Sequence, residues 1–546
     1  NIFYKKQNRR NNKNYDDDYN PRFRKQRKKV CLLCSDKNFE LDYKNPEQLK
    51  KFINDKGGID MLKANIGWST EANNFEAGRA SAKKAVVDLV QTKVAFLYTS
   101  SDNDVKKVLE GAKEELGTAP IIGCTSSGGI IVPDGYISSE NGFVGIMAIG
   151  DPDTTVGVAG SSKQKDARET GRLLAKEAME KAGKTVAPVY FYMVASPAEE
   201  EDYLKGIEDV IGRVPFFGGS AADNTVSGDW SIFTNDKVFS DGCAVAFFYT
   251  DKPMANVYTG AYHETTNSGV ITKIEGKRTL VEIDGEPAVK KYAKWTGKKL
   301  KDLEGANLLA ETVTAPLGVK DRLGDLVAIR HPMFANEDLS MNIGNNLAEN
   351  TAIIQMEATV DELIDGAEKV AIQLEEKLPG EAGAYLFIHC GGRRLAIDNR
   401  ISEVADKVKK VVGDTPFIMV FTFGEYGNTD HNGNTCGGLM LSDTAFCKWR
   451  EGKKPQPQNK YSCTKENYID GEVTVCKLVN NKEGATMKNL IGREWKDSSN
   501  GVTIEVVNPA TQELIDTVPN VTEEDVDTAV KVAMEEQKKW EEVSIY

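Results

Sequence analysis

The sequence predicts a mixed α/β fold, because short apolar runs of strand length alternate with amphipathic helices and end in glycine and small hydroxyl residues. The first such unit runs from a strand at 94–99, through a helix capped by Asp102 or Asp104, to a second strand at Ile121 and Ile122. The chain then breaks into Gly123-Cys124-Thr125-Ser126-Ser127. Such an ending is typical of a site where backbone amides and hydroxyls face a small polar ligand, although a tight turn without a ligand has the same spacing.

Length and charge limit the classes of protein to consider. The 546 residues exceed one typical core, so two to four units are expected. A net charge of −13 argues against a nucleic-acid-binding protein as a whole, although the first thirty residues are rich in Lys and Arg. The nine cysteines are scattered without a disulfide framework, which indicates reduced thiols and a cytoplasmic location. No apolar run has the roughly 18–20 residues of a membrane span, and no membrane partner is expected.

The strand–helix–strand pattern occurs a second time. A helix at 165–182, a strand at 186–195 and a helix at 198–211 lead through Phe217 into a second turn. The candidate ligand-binding residues of this turn are Gly218, Gly219, Ser220, Asp223 and Asn224; those of the first are Gly123, Cys124, Ser126 and Ser127. We expect the two turns to form opposite walls of one pocket. Tight packing alone is the alternative.

Polar residues also follow two strands of the second half. The strand 384–389 ends at Cys390, Arg393 and Arg394, and the strand 417–423 leads to Glu425. His431 and Asn432 come shortly after. Ligands gather at the carboxyl ends of strands in α/β sheets. These residues are therefore further candidates for ligand binding.

Three interpretations of these residues remain open. Arg393 could bind a ligand carboxylate and Glu425 an ammonium, which would suit an amino acid. Alternatively, Cys390 could be a nucleophile with His389 or His431 as its base. Neighbouring side chains on a strand point to opposite faces, so His389 is poorly placed for that role. A structural Arg–Glu ion pair is the third possibility.

Several phrases together resemble the FIST sensory domain. They are Ile122-Gly-Cys-Thr-Ser-Ser-Gly-Gly129, Gly142-Phe-Val-Gly-Ile-Met-Ala148, Phe217-Gly-Gly-Ser-Ala-Ala-Asp-Asn224, Ile283-Asp-Gly-Glu-Pro-Ala288, His389-Cys-Gly-Gly-Arg-Arg394 and Phe423-Gly-Glu425. The resemblance covers about 61–450 and implies a two-lobed domain, with a FIST N-like part at 61–285 and a FIST C-like part at 286–450. It also implies a non-catalytic sensor of small ligands in intracellular signalling, with amino acids the expected ligand class.

The resemblance carries two further implications. Some FIST proteins are haem-based gas sensors, and that activity would need an axial ligand among His263, His331, His389 and His431. No cofactor is our first expectation, and haem is the alternative. Because we identify no output module in the sequence, we expect the signal to pass to a separate protein.

Residues 1–60 form a separate basic piece. Arg27-Lys-Lys-Val-Cys31, Asp42-Tyr-Lys44 and Leu49-Lys-Lys-Phe-Ile-Asn-Asp-Lys-Gly57 resemble the bacterial small-subunit ribosomal protein numbered eighteen. The resemblance implies binding to ribosomal RNA, and it stops near Gly58 before that family's basic C-terminal helix. Cys31 and Cys34 have the spacing of half a zinc site, with two free thiols as the alternative.

The C-terminal part resembles another family. Residues 451–486 have the composition of a linker. From 487 to 546, the phrases Ile491-Gly-Arg-Glu-Trp495 and Ile504-Glu-Val-Val-Asn-Pro-Ala-Thr511 resemble the start of an NAD-dependent aldehyde dehydrogenase. The resemblance implies that the catalytic and NAD-binding regions of that family lie beyond this segment, so no dehydrogenase activity is expected.

The three resemblances suggest a composite chain. The first and third pieces match only parts of their families, and both ends of the chain look cut. Met61 and Met487 stand where the second and third pieces begin. We therefore expect that neighbouring coding regions were joined as one chain, with the FIST-like piece as the working domain.

Overall fold

The computed structural model describes residues 61–449 except 236, 321–326 and 430–432. Near the C-terminus it describes 489–491, 494–496, 499–500, 503–507, 514–519, 522, 524, 528 and 531. The basic segment 1–60 with Cys31 and Cys34, the linker 451–486, and the candidate residues His431 and Asn432 lie outside the described residues. The chain divides into two compact units, 1–454 and 455–546.

The first repeat of the larger unit alternates strands and helices and then adds a hairpin. Its elements are β1 (Lys63–Ser69), α1 (Asn74–Ala85), β2 (Thr92–Thr99), α2 (Val105–Leu116), β3 (Ile121–Thr125), the hairpin β4 (Ile130–Val132) and β5 (Gly135–Ile137), and β6 (Val144–Gly150). Asn73 and Asp104 cap the two helices by accepting first-turn N–H groups. The helices touch at Gly78, where an added Cβ would lie 2.1 Å from the carbonyl oxygen of Val108.

The second repeat has the same order of elements. It consists of β7 (Thr155–Ser162), α3 (Ala167–Lys181), β8 (Tyr190–Ala195), α4 (Glu200–Ile211), β9 (Phe216–Ser220), the hairpin β10 (Ile232–Thr234) and β11 (Lys237–Phe239), and β12 (Gly242–Tyr249). The strand–helix–strand pattern that the sequence predicts is therefore present in both repeats. The observed bounds of the elements lie close to the predicted ones.

The third repeat is interrupted by an inserted sheet. It begins with β13 (Met254–Thr259), after which the insertion contributes β14 (His263–Glu275), β15 (Thr279–Ile283), β16 (Glu286–Pro287), α5 (Ala288–Thr296), α6 (Asn307–Glu311), β17 (Leu317–Lys320), β18 (Val327–Arg330), β19 (Pro332–Ala335), β20 (Met341–Ile343) and β21 (Ala352–Glu357). The repeat resumes with α7 (Val360–Lys377), β22 (Ala382–Cys390), α8 (Gly391–Ile397), α9 (Ile401–Val412), β23 (Phe417–Thr422), the hairpin β24 (Glu425–Thr429) and β25 (Gly433–Gly437), and β26 (Leu441–Cys447). The expected boundary between residues 285 and 286 falls in the turn between β15 and β16, inside the inserted sheet.

Each repeat gives its hairpin to the sheet of another repeat. The three six-stranded sheets are ordered β1-β6-β2-β3-β10-β11, β25-β24-β9-β8-β12-β7 and β13-β26-β22-β23-β4-β5. The first hairpin therefore completes the third sheet, the second completes the first, and the third completes the second. In each sheet the second and third strands of the repeat are parallel, and the foreign hairpin pairs antiparallel with the third strand.

The three sheets enclose one central core. Its buried side chains include Phe96 from the first sheet, Tyr192 and Phe217 from the second, and Leu386 and Phe446 from the third. The helices pack against the outer faces of the sheets in separate apolar clusters. Because buried apolar area is the dominant stabilising term, this common core holds the repeats together. The mixed α/β class predicted from the sequence is confirmed.

Two helices show how the sequence sets their limits. The helix expected over 75–92 ends at Ala85, because the β-branched pair Val86 and Val87 is followed by Asp88 in the left-handed region at φ 58°. By contrast, α7 has a complete capping box between Thr359 and Glu362 and extends over 18 residues. No helix among the described residues is long and apolar enough to cross a membrane.

The smaller unit, as far as the structure describes it, contains two antiparallel pairs. Strand β27 (Asn489–Ile491) pairs with β28 (Glu494–Lys496), and β29 (Thr503–Val507) pairs with β30 (Leu514–Pro519). These strands fall in the segment that resembles the start of an aldehyde dehydrogenase.

The central core contains one polar link whose contribution can be measured. The hydroxyls of Tyr98 on β2 and Tyr192 on β8 lie 3.0 Å apart, and both residues are fully buried. We expect Tyr98→Phe or Tyr192→Phe alone to lower the free energy of unfolding by about 1–3 kcal/mol, because the remaining hydroxyl loses its buried partner. The double variant should cost less than the sum of the two. Urea unfolding of all four proteins measures this coupling, and strictly additive costs would contradict the pairing.

Candidate functional site

The turns that follow the third strands of the three repeats meet at one place. After β3, the N–H of Ser127 donates to the carbonyl of Phe421 on β23 at 2.9 Å, and the N–H of Gly128 donates to the side chain of Asn224 at 2.8 Å. Asn224 in turn donates to Asp102 at 2.6 Å. The hairpin exchange brings these turns together, because each chain segment must leave its own sheet here to enter the next.

A cavity of about 80 Å³ lies at this meeting point. Four of the sequence-predicted residues line it: Ser127, Asn224, Cys390 and Arg394. A single water needs only about 10–15 Å³ on this measure, so the space fits several waters or one small organic ligand.

The far wall of the cavity comes from the inserted sheet. Leu309 of α6, Met333 of β19 and His331 between β18 and β19 line it together with Phe423 and Leu439 of the third repeat. Reasoning from strand ends misses the first three, because they belong to a segment whose place beside the turns depends on tertiary packing. Among them, only His331 was considered from the sequence, as a candidate haem ligand.

Arg394 provides positive charge at the cavity. Its guanidinium lies against Gly128, where an added Cβ would be 2.4 Å from the Arg394 Cζ. The Nη1 of Arg394 lies 3.5 Å from the hydroxyl oxygen of Tyr136. Its Nε is buried and makes no hydrogen bond to the described residues. No carboxylate among those residues forms an ion pair with Arg394. The cavity therefore contains a cation whose counter-charge the described protein does not provide.

Arg393, next to it, has a different environment. It is fully buried and donates to the carbonyl oxygens of Leu363 at 3.0 Å, of Leu439 at 3.4 Å and of Gly260. The geometry therefore gives no support to the idea that Arg393 binds a ligand carboxylate. Its guanidinium instead connects α7, the turn before β26 and the residue that follows β13.

Cys390 lines the cavity, and Glu425 is buried next to it. The Glu425 carboxyl accepts hydrogen bonds from the hydroxyl of Thr422 and from the N–H of Met440, both at 2.9 Å. Burial raises the pKa of Glu425 to about 8, and burial together with this carboxyl raises the pKa of the Cys390 thiol. Both groups are therefore mainly protonated near neutral pH, which suits neither an ammonium partner nor a ready nucleophile.

The histidines of the described residues do not form a base for Cys390. His389 is fully buried, its Nδ1 lies 3.0 Å from the Cys390 carbonyl, and burial lowers its pKa to about 3. His331 lines the cavity with its Nε2 3.1 Å from the Leu309 carbonyl, and burial lowers its pKa to about 4. His263 is exposed beside Glu357. The imidazoles of His331 and His389 are therefore neutral near pH 7.

These residues do not fit a haem. Among the described histidines only His331 reaches the cavity, and its Nε2 already lies 3.1 Å from the Leu309 carbonyl oxygen. The described residues also contain no group of three or more metal-ligating side chains.

The remaining candidates of the first turn have structural partners. Gly123 allows close strand packing, since an added Cβ would lie 1.7 Å from the carbonyl oxygen of Leu97. Cys124 is buried on β3 beneath the turn, and burial raises its pKa. The hydroxyl of Ser126 donates to the Gly129 carbonyl at 2.8 Å and accepts the N–H of Phe421 at 2.9 Å. These three residues shape the turn but do not line the cavity.

The second turn is similar. Gly218 and Gly219 belong to β9 and pair with Tyr426 and Glu425 of the exchanged hairpin. The hydroxyl of Ser220 lies 2.6 Å from that of Tyr426. Asp223 accepts backbone N–H groups from Thr225 through Asp229 and so fixes that loop. Asn224 alone of these candidates reaches the cavity.

The raised pKa of Glu425 predicts a pH effect on stability. The carboxyl binds its proton more tightly in the folded state than at its ordinary pKa of 4.5, so it stabilises the fold fully below about pH 4.5. That contribution decreases as the pH rises and is lost above about 8. Glu425→Gln should remove this dependence, so the stability of wild type relative to the variant should fall between pH 5 and 8.

Urea unfolding at several pH values measures the difference. Glu110→Gln, at an exposed position of α2, is the matched control and should leave the pH profile unchanged. Parallel profiles for wild type and Glu425→Gln would contradict the assignment.

Comparison with known proteins gives three family matches. A FIST N domain matches residues 93–286, a FIST C domain matches 288–428, and the aldehyde dehydrogenase family matches 495–546. The D-glyceraldehyde dehydrogenase (NADP(+)) of Picrophilus torridus is 45% identical over 58 residues, which is 11% of this chain and 12% of that protein. The malonate-semialdehyde dehydrogenase 2 of Oceanobacillus iheyensis is 49% identical over 59 residues, again 11% and 12%. The chain thus spans about an eighth of the length of these curated relatives.

Two solved structures show weak likeness. The cyanuric acid hydrolase from A. caulinodans matches with a TM-score of 0.30 and 10% identity, over 71% of this chain and 100% of that one. PurLQS from Thermotoga maritima matches with a TM-score of 0.19 and 9% identity, over 72% of this chain and 73% of that one. At these scores neither likeness bears on fold or function. The family matches do: the chain contains a FIST N domain followed by a FIST C domain, which together indicate a sensory module of signal transduction.

Proposed function

We propose that the FIST region is a sensor that binds a small ligand with a carboxylate group in the cavity between the three turns and the inserted sheet. The observation that carries this proposal is Arg394, a cavity-lining guanidinium that forms no ion pair within the described residues. Guanidinium groups pair with carboxylates through charge-assisted hydrogen bonds, and such bonds are stronger than those between neutral groups. Amino acids, the class that the FIST resemblance favours, contain the required carboxylate.

The local contacts support binding without catalysis. Ser127 is buried at the cavity, and its hydroxyl makes no hydrogen bond to the described residues, so it can bind a ligand. Cys390 is the nucleophile candidate, but its pKa is raised and its carboxyl partner is itself mainly protonated. A non-catalytic role therefore agrees better with the protonation of the pair, and turnover of a ligand would favour the enzyme alternative.

The proposal also covers the location of the protein, its signalling partner and the two flanking segments. We propose a cytoplasmic location, because the described cysteines are buried and form no disulfide. We also propose that a separate output protein reads the bound state. Binding of ribosomal RNA by residues 1–60 stays a prediction, as does the composite origin of the chain. No aldehyde dehydrogenase activity is proposed.

Arg394 gives the sensor proposal a direct test. In a thermal-shift screen of amino acids and other small carboxylates, we expect at least one compound to raise the melting temperature. Occupancy at 100 times Kd stabilises a folded protein by about 2.7 kcal/mol. Arg394→Gln should weaken binding of that compound by roughly tenfold or more, because it removes a charged hydrogen bond of about 1.5–3 kcal/mol.

The control is Arg79→Gln, which removes a half-exposed arginine paired with Glu76 on α1, away from the cavity lining. This variant should bind like wild type. Equal affinity of the Arg394→Gln variant, or a panel in which no carboxylate stabilises wild type, would contradict the proposal.

A further inference from the structure

We propose that the cavity selects carboxylates that have an apolar body and no amine, so that a deaminated acid binds better than the matching amino acid. This inference rests on the proposed function and narrows the ligand class. It follows from the charges at the cavity, from its apolar lining and from one strained residue at its edge.

The charges at the cavity are of one sign only. Arg394 lines it, and no Asp or Glu is among the described residues that do. Glu425, an acid buried behind the wall, already accepts hydrogen bonds from Thr422 and Met440, and its raised pKa keeps it mainly neutral. A ligand carboxylate therefore gains a partner here, whereas a ligand ammonium would lose its water without gaining a counter-charge.

The neighbouring acids already accept hydrogen bonds within the turns. Asp102 accepts from Asn224, and Asp223 accepts the backbone N–H groups of its own loop. His331, another titratable group of the lining, is neutral near pH 7 because burial lowers its pKa to about 4. None of these groups supplies a free negative charge to an amine in the cavity.

The rest of the lining is largely apolar. Leu309, Met333, Phe423 and Leu439 surround the space, and Val226 lies at its edge with half of its surface exposed. Burial of apolar ligand atoms against such side chains is favourable in proportion to the area removed from water. The small volume favours a short aliphatic body.

Val226 is also strained. It adopts a φ of 57°, in the left-handed region that a β-branched residue rarely occupies, and the Asp223 side chain accepts its N–H. Asn or Asp would adopt this conformation more easily. A valine at this point costs stability and places an apolar side chain at the cavity edge, which agrees with a role in contacting the ligand.

The test compares three ligands of nearly equal shape by titration calorimetry on the full chain. They are 3-methylbutanoate, its amino-acid counterpart valine, and the neutral 3-methylbutanamide. We expect 3-methylbutanoate to bind at least about tenfold more tightly than either of the others. Valine binding as tightly as 3-methylbutanoate, with loss of both on Arg394→Gln, would overturn this inference and leave the sensor proposal standing. Absence of Arg394-dependent binding by any of the three would overturn this inference, whereas the sensor proposal fails only if no carboxylate of the wider panel binds.

A matched pair of variants at Val226 adds a second measurement. Val226→Asn and Val226→Asp both relieve the backbone strain, so both should fold at least as stably as wild type. Val226→Asn should weaken 3-methylbutanoate binding several-fold through loss of the apolar contact. Val226→Asp differs only in adding a negative charge, so it should shift the affinity ratio toward valine relative to Val226→Asn. An unchanged ratio between the two variants would contradict the charge argument.

Discussion

The exchange of hairpins between repeats is the constraint on which the rest of the structure depends. Strand β23 pairs with β4 through Val420 and Ile130, and β9 pairs with β24 through Gly219 and Glu425. Each third strand therefore has a neighbour from a distant part of the sequence. The three turns can only converge because the chain leaves one sheet and enters another at the same end of the core. The cavity is a product of that crossing.

The inserted sheet is connected to the body at a point that also adjoins the cavity. Arg278, between β14 and β15, reaches Glu200 at 2.9 Å and Glu201 at 2.5 Å at the start of α4. Glu201 also accepts the N–H of Asn346, two residues after the cavity-lining Gly344. A ligand between Arg394 and this wall would contact both parts at once. Under the sensor proposal, ligand binding would therefore be coupled to the packing of the inserted sheet.

The sequence predicts local structure well, but it says less about which distant segments contact each other in the folded protein. The strands ending at Thr125 and Ser220, and the glycine and hydroxyl turns after them, follow from apolar runs and turn residues. The exchange of hairpins does not follow from such patterns, because nothing local specifies that β4 pairs with a strand almost 300 residues later. Arg393 and Arg394 illustrate the same limit. Adjacent helical residues point about 100° apart, so only the packing of α8 decides which guanidinium is buried and which lines the cavity.

The order of the strands along the chain also has a consequence for synthesis. The first sheet can be completed once β10 and β11 have left the ribosome, but β4 and β5 find their partner only after β23, and β9 finds its own only after β24. Until then a nascent chain exposes unpaired strand edges and part of an apolar core, the features that favour non-native association. We therefore expect the larger unit to complete its fold only late in translation, and the nascent chain to need chaperones until then.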